Sequence, residues 1–169
     1  MRRRLIREFE ATWRLTAPRV RSYILCACGD LVDADDLVQE CYLRALKSWH
    51  QFDAKASREA WLFGIARRTC VDWFRKKRRN VATVSLEDIQ VSTDVVTKER
   101  LTNDLEAVWD AIKSLKEEQV EVIHLRFAAG LSYSEISETL EIPIGTVRSR
   151  LHRGLKAVRE QIEETKNGT

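Results

Sequence analysis

Cations, small polar residues and one imidazole recur on one side of a helical stretch near the end of the chain. Gly145, Ser149, His152, Arg153 and Lys156 share that side, with Arg148 and Arg150 on its flanks. Cationic side chains neutralise phosphates, and Arg, His and Ser can reach base edges in a major groove. The opposite side is an apolar stripe of Val147, Leu151, Leu155, Val158 and Ile162. Just upstream, Ser132 and Glu135 have capping-box spacing and predict a helix start after the stop at Gly130, with Ile136 and Leu140 on one face. Pro143 suits the first turn of the next helix, where its missing N–H costs nothing. Two helices joined by a tight corner, the second polar and cationic outward, make a helix-turn-helix of the kind that reads DNA. An ordinary helical hairpin with a solvated basic face is the bland alternative.

Two further constellations carry chemistry. Residues 30–40 gather Asp30, Asp33, Asp35, Asp36 and Glu40 without a cation. They open a helix expected from Asp33, read as its N-cap, to about Trp49. Its buried stripe is read as Val38, Cys41, Tyr42, Ala45 and Trp49, with Leu46 at the edge. Leu37 and Leu43 then fall among Asp36, Gln39, Glu40, Arg44 and Lys47 on the outer face, and apolar residues there suggest a docking surface. Residues 67–79 gather Arg67, Arg68, Arg75, Lys76, Lys77, Arg78 and Arg79 against Asp72 alone. They end a long helix from about Arg58 that is apolar on two sides. Aromatic rings interleaved with cations suit unpaired nucleic acid, although a central core helix with a solvated basic tail gives the same pattern. Segregated charge of this kind suggests one surface for nucleic acid and another for a protein, more than the net charge of +3 does.

The supporting elements follow from spacing. Residues 4–28 read as helix, with Pro18 marking a break or a new first turn and Gly29–Asp30 a stop. Gln51 to Ser57 is a polar loop. Residues 80–103 lose helical periodicity and read as a linker, extended or irregular. Beyond it, Leu105, Val108, Trp109 and Ile112 form one helix. Ser114 is expected to cap another, in which Val120, Ile123, His124 and Phe127 face inward. His124 is taken as a satisfied core-edge residue. Scarce Gly and Pro and high charge favour an all-α chain of 169 residues, divided into domains at 1–79 and 104–165.

No Gly-rich phosphate loop, paired-carboxylate pocket or nucleophile–histidine arrangement argues for an enzyme. Met1-Arg-Arg-Arg4 lacks a following signal-peptide core, and no apolar run is long enough to span a bilayer, so a cytoplasmic protein without membrane insertion is expected. Cys26, Cys28, Cys41 and Cys70 match no zinc template and are expected as reduced, small apolar side chains, with a redox or metal role as the alternative. No metal or cofactor is expected.

Three blocks together resemble bacterial RNA polymerase sigma factors, the small extracytoplasmic-function (ECF) group above all. They are Asp33-Ala-Asp-Asp-Leu-Val-Gln-Glu-Cys-Tyr-Leu-Arg-Ala-Leu46, then Ala60-Trp-Leu-Phe-Gly-Ile-Ala-Arg-Arg68 with Val71-Asp-Trp-Phe-Arg-Lys76, then Gly130-Leu-Ser-Tyr-Ser-Glu-Ile136 with Ile142 to Arg153. The resemblance implies two helical domains, regions 2 and 4, joined by a flexible linker that threads the polymerase near the RNA exit path. It implies that Asp36, Leu37, Gln39, Glu40 and Leu43 dock on the clamp helices of the polymerase β′ subunit, with the β flap a further contact. Phe52, Asp53, Lys55, Ser57, Arg58, Trp61, Arg67, Arg68, Arg75 and Lys76 would read and melt the −10 element, a flipped base entering a pocket of the loop. Gly145, Thr146, Arg148, Ser149, His152, Arg153 and Lys156 would read the −35 element. Partners are then core polymerase, promoter DNA and an anti-sigma factor. Trp61-Leu62 departs from the adjacent aromatic pair of housekeeping members, which implies weaker melting and a stricter promoter requirement. A stand-alone helix-turn-helix regulator would leave the acidic and aromatic-basic helices unexplained.

Overall fold

The computed structural model describes residues 2–82 and 103–167. The chain divides into two compact units, Met1–Val96 and Thr97–Thr169. Every regular element among the described residues is helical.

In the first unit, α1 (Arg2–Cys28), α2 (Leu31–Ser48) and α3 (Arg58–Ala82) pack on one another, with a 3-10 turn at Trp49–Gln51. Because α3 packs on both α1 and α2, its first half is apolar on two sides. Leu62, Phe63, Ile65, Ala66 and Cys70 are buried, as are Phe9, Val20 and Ile24 of α1 and Ala34, Leu37, Cys41 and Ala45 of α2. Residues 80–82 continue α3 into the stretch read as linker and Asn103 begins the next helix; the remainder of that reading, 83–102, lies outside the described residues.

Two expectations about the first unit are corrected. Pro18 lies inside α1 and does not break it. A proline inside a helix costs about 3 kcal/mol. Phe9, Val20 and Ile24, all fully buried, stand on both sides of it on one stripe. Each such side chain is worth about 1.5–3 kcal/mol of burial, so continuity wins. The N-cap of α2 is Asp30, not Asp33: its carboxylate accepts from the Val32 and Asp33 N–H groups at 2.8 and 2.9 Å. Gly29, at φ 75°, ends α1 as read, and its left-handed backbone makes the connection only two residues long.

The second unit contains α4 (Asn103–Lys113), α5 (Glu117–Ile123), a π-helical turn (His124–Ala128), α6 (Tyr133–Leu140) and α7 (Ile144–Asn167). Ser114 does not cap α5; its hydroxyl bonds to the Ala111 carbonyl at 2.8 Å and to the Gln161 side chain on α7. The helix starts after Lys116, whose N–H donates to Gln119 Oε1. The π turn rotates the register, with the Ala129 N–H reaching back five residues to the His124 carbonyl at 3.0 Å. Val122, Ile123 and Leu125 are therefore buried, while Phe127, expected inside, is 63% exposed. His124 is mostly buried but not satisfied: its Nε2 has no hydrogen-bond partner among the described residues. Val147 and Leu151 hold α7 on the core as read, but the stripe then continues through Gly154, and Leu155 turns to solvent.

Candidate functional site

The outer face of α2 comes first. Burial of Ala34, Leu37, Cys41 and Ala45 fixes which side of the helix faces the core. Asp36, Gln39 and Leu43 remain exposed, and Glu40 is half-buried. Leu37 is corrected: at 3% exposure it belongs to the core and cannot offer surface to a partner. Val32, missed in the sequence, is 74% exposed one turn before Asp36 and extends the apolar component that Leu43 provides. Spacing could have found it, because positions 32, 36, 39 and 43 share a helix face.

Glu40 is not a lone anion. Arg44, one turn on, donates to the Glu40 carboxylate and, at 2.7 Å, to Asp72 Oδ2 on α3. Arg44 is the first cause that holds the Asp72 carboxyl below its ordinary range, ahead of the charges of Arg75 and Lys76. The i, i+4 spacing of Glu40 and Arg44 was legible; the bridge to the lone acid of the basic run was not.

The loop after α2 rests on aromatic rings. Phe52 stacks on Trp49 at 5.3 Å and 13°, and meets Trp61 edge-on at 5.5 Å. Trp49 and Trp61 are 5.6 Å apart. Asp53 Oδ1 accepts the Lys55 N–H at 3.0 Å, the usual device for folding a short Asp-led turn. Ser57 Oγ accepts the Ala60 N–H at 3.2 Å and so caps α3, and Arg58 pairs with Glu8 at 3.3 Å. Lys55 and Arg58 are exposed, while Phe52, Ser57 and Trp61 are half-buried. Leu62, beside Trp61, is fully buried.

Past this loop, α3 becomes cationic. Arg67, Arg68 and Arg75 line a cleft of about 390 Å³ with Arg44, Ser48, Ile65, Val71 and Asp72. Arg75 and Lys76 join Arg78, Arg79 and Asp72 around the next recess. Lys77 lies 4.4 Å over the Trp73 ring and reaches Asp33 at 3.4 Å, and Phe74 is 40% exposed. An exposed ring, Phe74, thus stands beside exposed cations, a combination that suits stacking and phosphate contact.

In the second unit, the capping box forms as read. Ser132 Oγ accepts the Glu135 N–H at 3.3 Å and Glu135 Oε2 accepts the Ser132 N–H at 2.8 Å. The corner turns at Glu141, whose φ of 55° is left-handed, and Ser137 Oγ ties down the Ile142 carbonyl. The Pro143 carbonyl then accepts from Thr146 and Val147, starting α7. Gly145, Arg148, His152, Arg153 and Lys156 are exposed, and Thr146 and Ser149 half-exposed. Arg150 on the flank is occupied by Glu118 at 2.9 Å, which braces α7 on α5. Arg126, which the sequence did not single out, latches the approach to α6 by donating to the Leu131 carbonyl at 2.8 Å and lying over Tyr133.

Burial pushes the Cys41 and Cys70 thiols up to about 12, and those of Cys26 and Cys28 upward as well. Cys41 and Cys70, buried and held protonated, are poor nucleophiles, whereas Cys26 and Cys28 are only half-buried. Among the described residues no cluster of His, Cys, Asp and Glu is placed to hold a metal, and no helix is long and apolar enough to cross a membrane.

A helical unit with an aromatic-basic helix, in one chain with a helix-turn-helix unit, fits the class of proteins that handle DNA. Known proteins agree. The family model "Sigma-70 region 2" matches residues 12–80 and "Sigma-70, region 4" matches residues 105–158. The chain is 32% identical over 141 residues to the ECF RNA polymerase sigma factor SigX of Bacillus subtilis, covering 79% of this chain and 73% of that relative. It is 32% identical over 155 residues to SigW of the same organism, covering 84% and 83%. Among solved structures, the sigma factor RpoE of Bartonella quintana, in complex with the anti-sigma factor NepR, matches with a TM-score of 0.74 at 26% identity, covering 92% of this chain and 97% of that one. The chain belongs to the sigma-70 family and, within it, to the ECF sigma factors. It is therefore a transcription initiation factor rather than an enzyme or a stand-alone regulator.

Proposed function

We propose that the two units divide promoter recognition between them and that α2 carries the contact to core RNA polymerase. The observation that carries this reading is the split surface of the first unit. Asp36, Gln39, Glu40 and Leu43, joined by Val32, form an acidic and apolar face, while α3 presents rings and cations. Acidic side chains framing exposed apolar ones suit a basic, partly apolar protein partner, which the family resemblance identifies as the β′ clamp helices. The loop Phe52, Asp53, Lys55, Ser57 and Arg58, with Trp61, would receive a base of the −10 element, and Arg67, Arg68, Arg75 and Lys76 would follow its phosphates. The sequence neighbour of Trp61 is Leu62, a buried aliphatic side chain and not a second ring, in keeping with weak melting and a strict promoter requirement. Gly145, Thr146, Arg148, Ser149, His152, Arg153 and Lys156 would read the −35 element, while the second unit also meets the β flap. The chain works in the cytoplasm, where an anti-sigma factor binds it, as the Bartonella protein is found in complex with NepR.

The test is transcription from a library of promoter fragments with core polymerase and the purified chain. Specific initiation is expected, and reversing charge at Asp36 and Glu40 together should abolish it and core pull-down while the helical content stays unchanged. Tight DNA binding by the chain alone, with no transcripts on adding core, would sink the reading.

A further inference from the structure

Arg44 stands where the docking face and the phosphate-following surface meet. It projects from α2 one turn after Glu40, and its guanidinium forks between Glu40 and Asp72 of α3. Arg44 also lines the cleft, together with Arg67, Arg68, Arg75, Ile65, Val71 and Ser48. Two carboxylates therefore share the cation contributed by α2, Asp72 within the cleft lining and Glu40 outside it. With both paired, the charge of the guanidinium is already matched, which weakens its pull on a phosphate. Both carboxylates are 42% exposed at the side chain, so these pairs are weak and can exchange partners.

We infer that the cleft seats one backbone phosphate of an unpaired DNA strand, and that Arg44 is a phosphate ligand kept in reserve by Glu40 until polymerase engages Glu40. The inference rests on the roles proposed above for α2 and α3. A cationic group of the polymerase that pairs with Glu40 frees one arm of the guanidinium. Asp72 keeps the other arm and aims the fork into the cleft, beside Arg67, Arg68 and Arg75. A phosphate oxygen then takes the place of the Glu40 oxygen, so the number of charge-assisted bonds on Arg44 is conserved. Docking would thereby raise the strand affinity of the first unit without any change of fold.

The test uses the intact chain without polymerase and a labelled single strand of mixed sequence, about 15 nucleotides long, because phosphate contacts carry no sequence information. Four proteins are titrated: the unaltered chain, Glu40→Gln, Arg44→Gln and the double variant. Glu40→Gln should bind roughly 3–10-fold tighter at low salt, with a salt slope steeper by about 0.7. The same change in the Arg44→Gln background should gain nothing. A gain of equal size in both backgrounds is a general charge effect and overturns the inference. Equal strand affinity for all four proteins, measurable or nil, overturns it too. Thermal melts confirm that the variants fold, as expected for half-exposed pairs. The α3 reading has its own arm, Arg75→Ala with Lys76→Ala. If that variant binds strand as the unaltered chain does, the α3 reading fails. If it binds more weakly while the Glu40 effect ignores Arg44, only the reserve ligand fails.

Discussion

Burial lowers the pKa of the His124 imidazole from its ordinary 6.5 to about 4. The neutral form is the folded form, so stability is full above pH 6.5 and declines as acid protonates the unfolded chain. By pH 5 the loss is about 2 kcal/mol, and it levels off only near pH 4. Urea unfolding at pH 7.5 and pH 5 should show that loss for the unaltered chain and a clearly smaller one for His124→Leu. Identical pH dependence in both would mean that another group titrates. The sequence could not reveal this. It places His124 at the core edge correctly, but that Nε2 meets no partner among the described residues is a matter of tertiary packing, which no local spacing announces. Leu37 and Phe127 differ from their stripes in opposite directions. Spacing puts Leu37 outside and Phe127 inside, and each lies on the other side because the true register is fixed by neighbouring helices. At Leu37 the core prefers a Leu to Val38 and Tyr42, which are only half-buried.

Helix α7 is held at a close approach. A Cβ on Gly154 would meet Ile123 Cδ1 at 3.0 Å and Gln119 Cβ at 3.4 Å. The end of the Ile123 side chain can yield to one methyl, and alanine gains up to about 1 kcal/mol of helix propensity, so Gly154→Ala should be tolerated. A branched side chain has nowhere to go, and Gly154→Val should destabilise the chain by about 2 kcal/mol. Thermal melts that rank Val level with Ala would show that α5 and α7 are looser than their geometry indicates. Helices were the most legible level: α2, α3, α6 and α7 all form where expected, although the faces of α2 and α7 depart from their spacing at Leu37 and Leu155, and the capping box at Ser132 forms as read. Their ends and interruptions were less legible. Pro18 fails to break α1 because long-range burial outweighs a local rule, and α2 starts at Asp30 because Gly29 has already ended α1.

For the molecule as a whole, charge segregation was the most informative feature of the sequence, and the exposed cations of α3 and α7 retain it. Polymerase carrying this chain should therefore bind promoter DNA with a strong salt dependence. Replacing Arg148 and Arg153 by Ala should lower the slope by about 0.9 for each phosphate that these side chains neutralise. His152→Ala should instead change which −35 sequences are preferred, leaving core affinity intact. Anisotropy over a salt series and a promoter-library profile separate the two. An unchanged slope would remove the two arginines from the interface. An unchanged profile would remove His152. What the sequence could not supply at this scale was Arg44, because its bridge to Asp72 joins residues from different helices.

The ring cluster under the loop also makes the protein its own optical probe. Trp13, Trp49 and Trp61 share contacts through Phe9, Tyr42 and Phe52, with Trp13 to Tyr42 at 5.3 Å and Phe9 to Trp49 at 5.4 Å. Of the five tryptophans, only Trp109 belongs to the second unit. Ultraviolet emission therefore comes mainly from the first unit. A base that parts Phe52 from Trp49 and Trp61 would change its intensity and colour with no dye attached. Strand capture could then be timed directly in a stopped-flow fluorimeter.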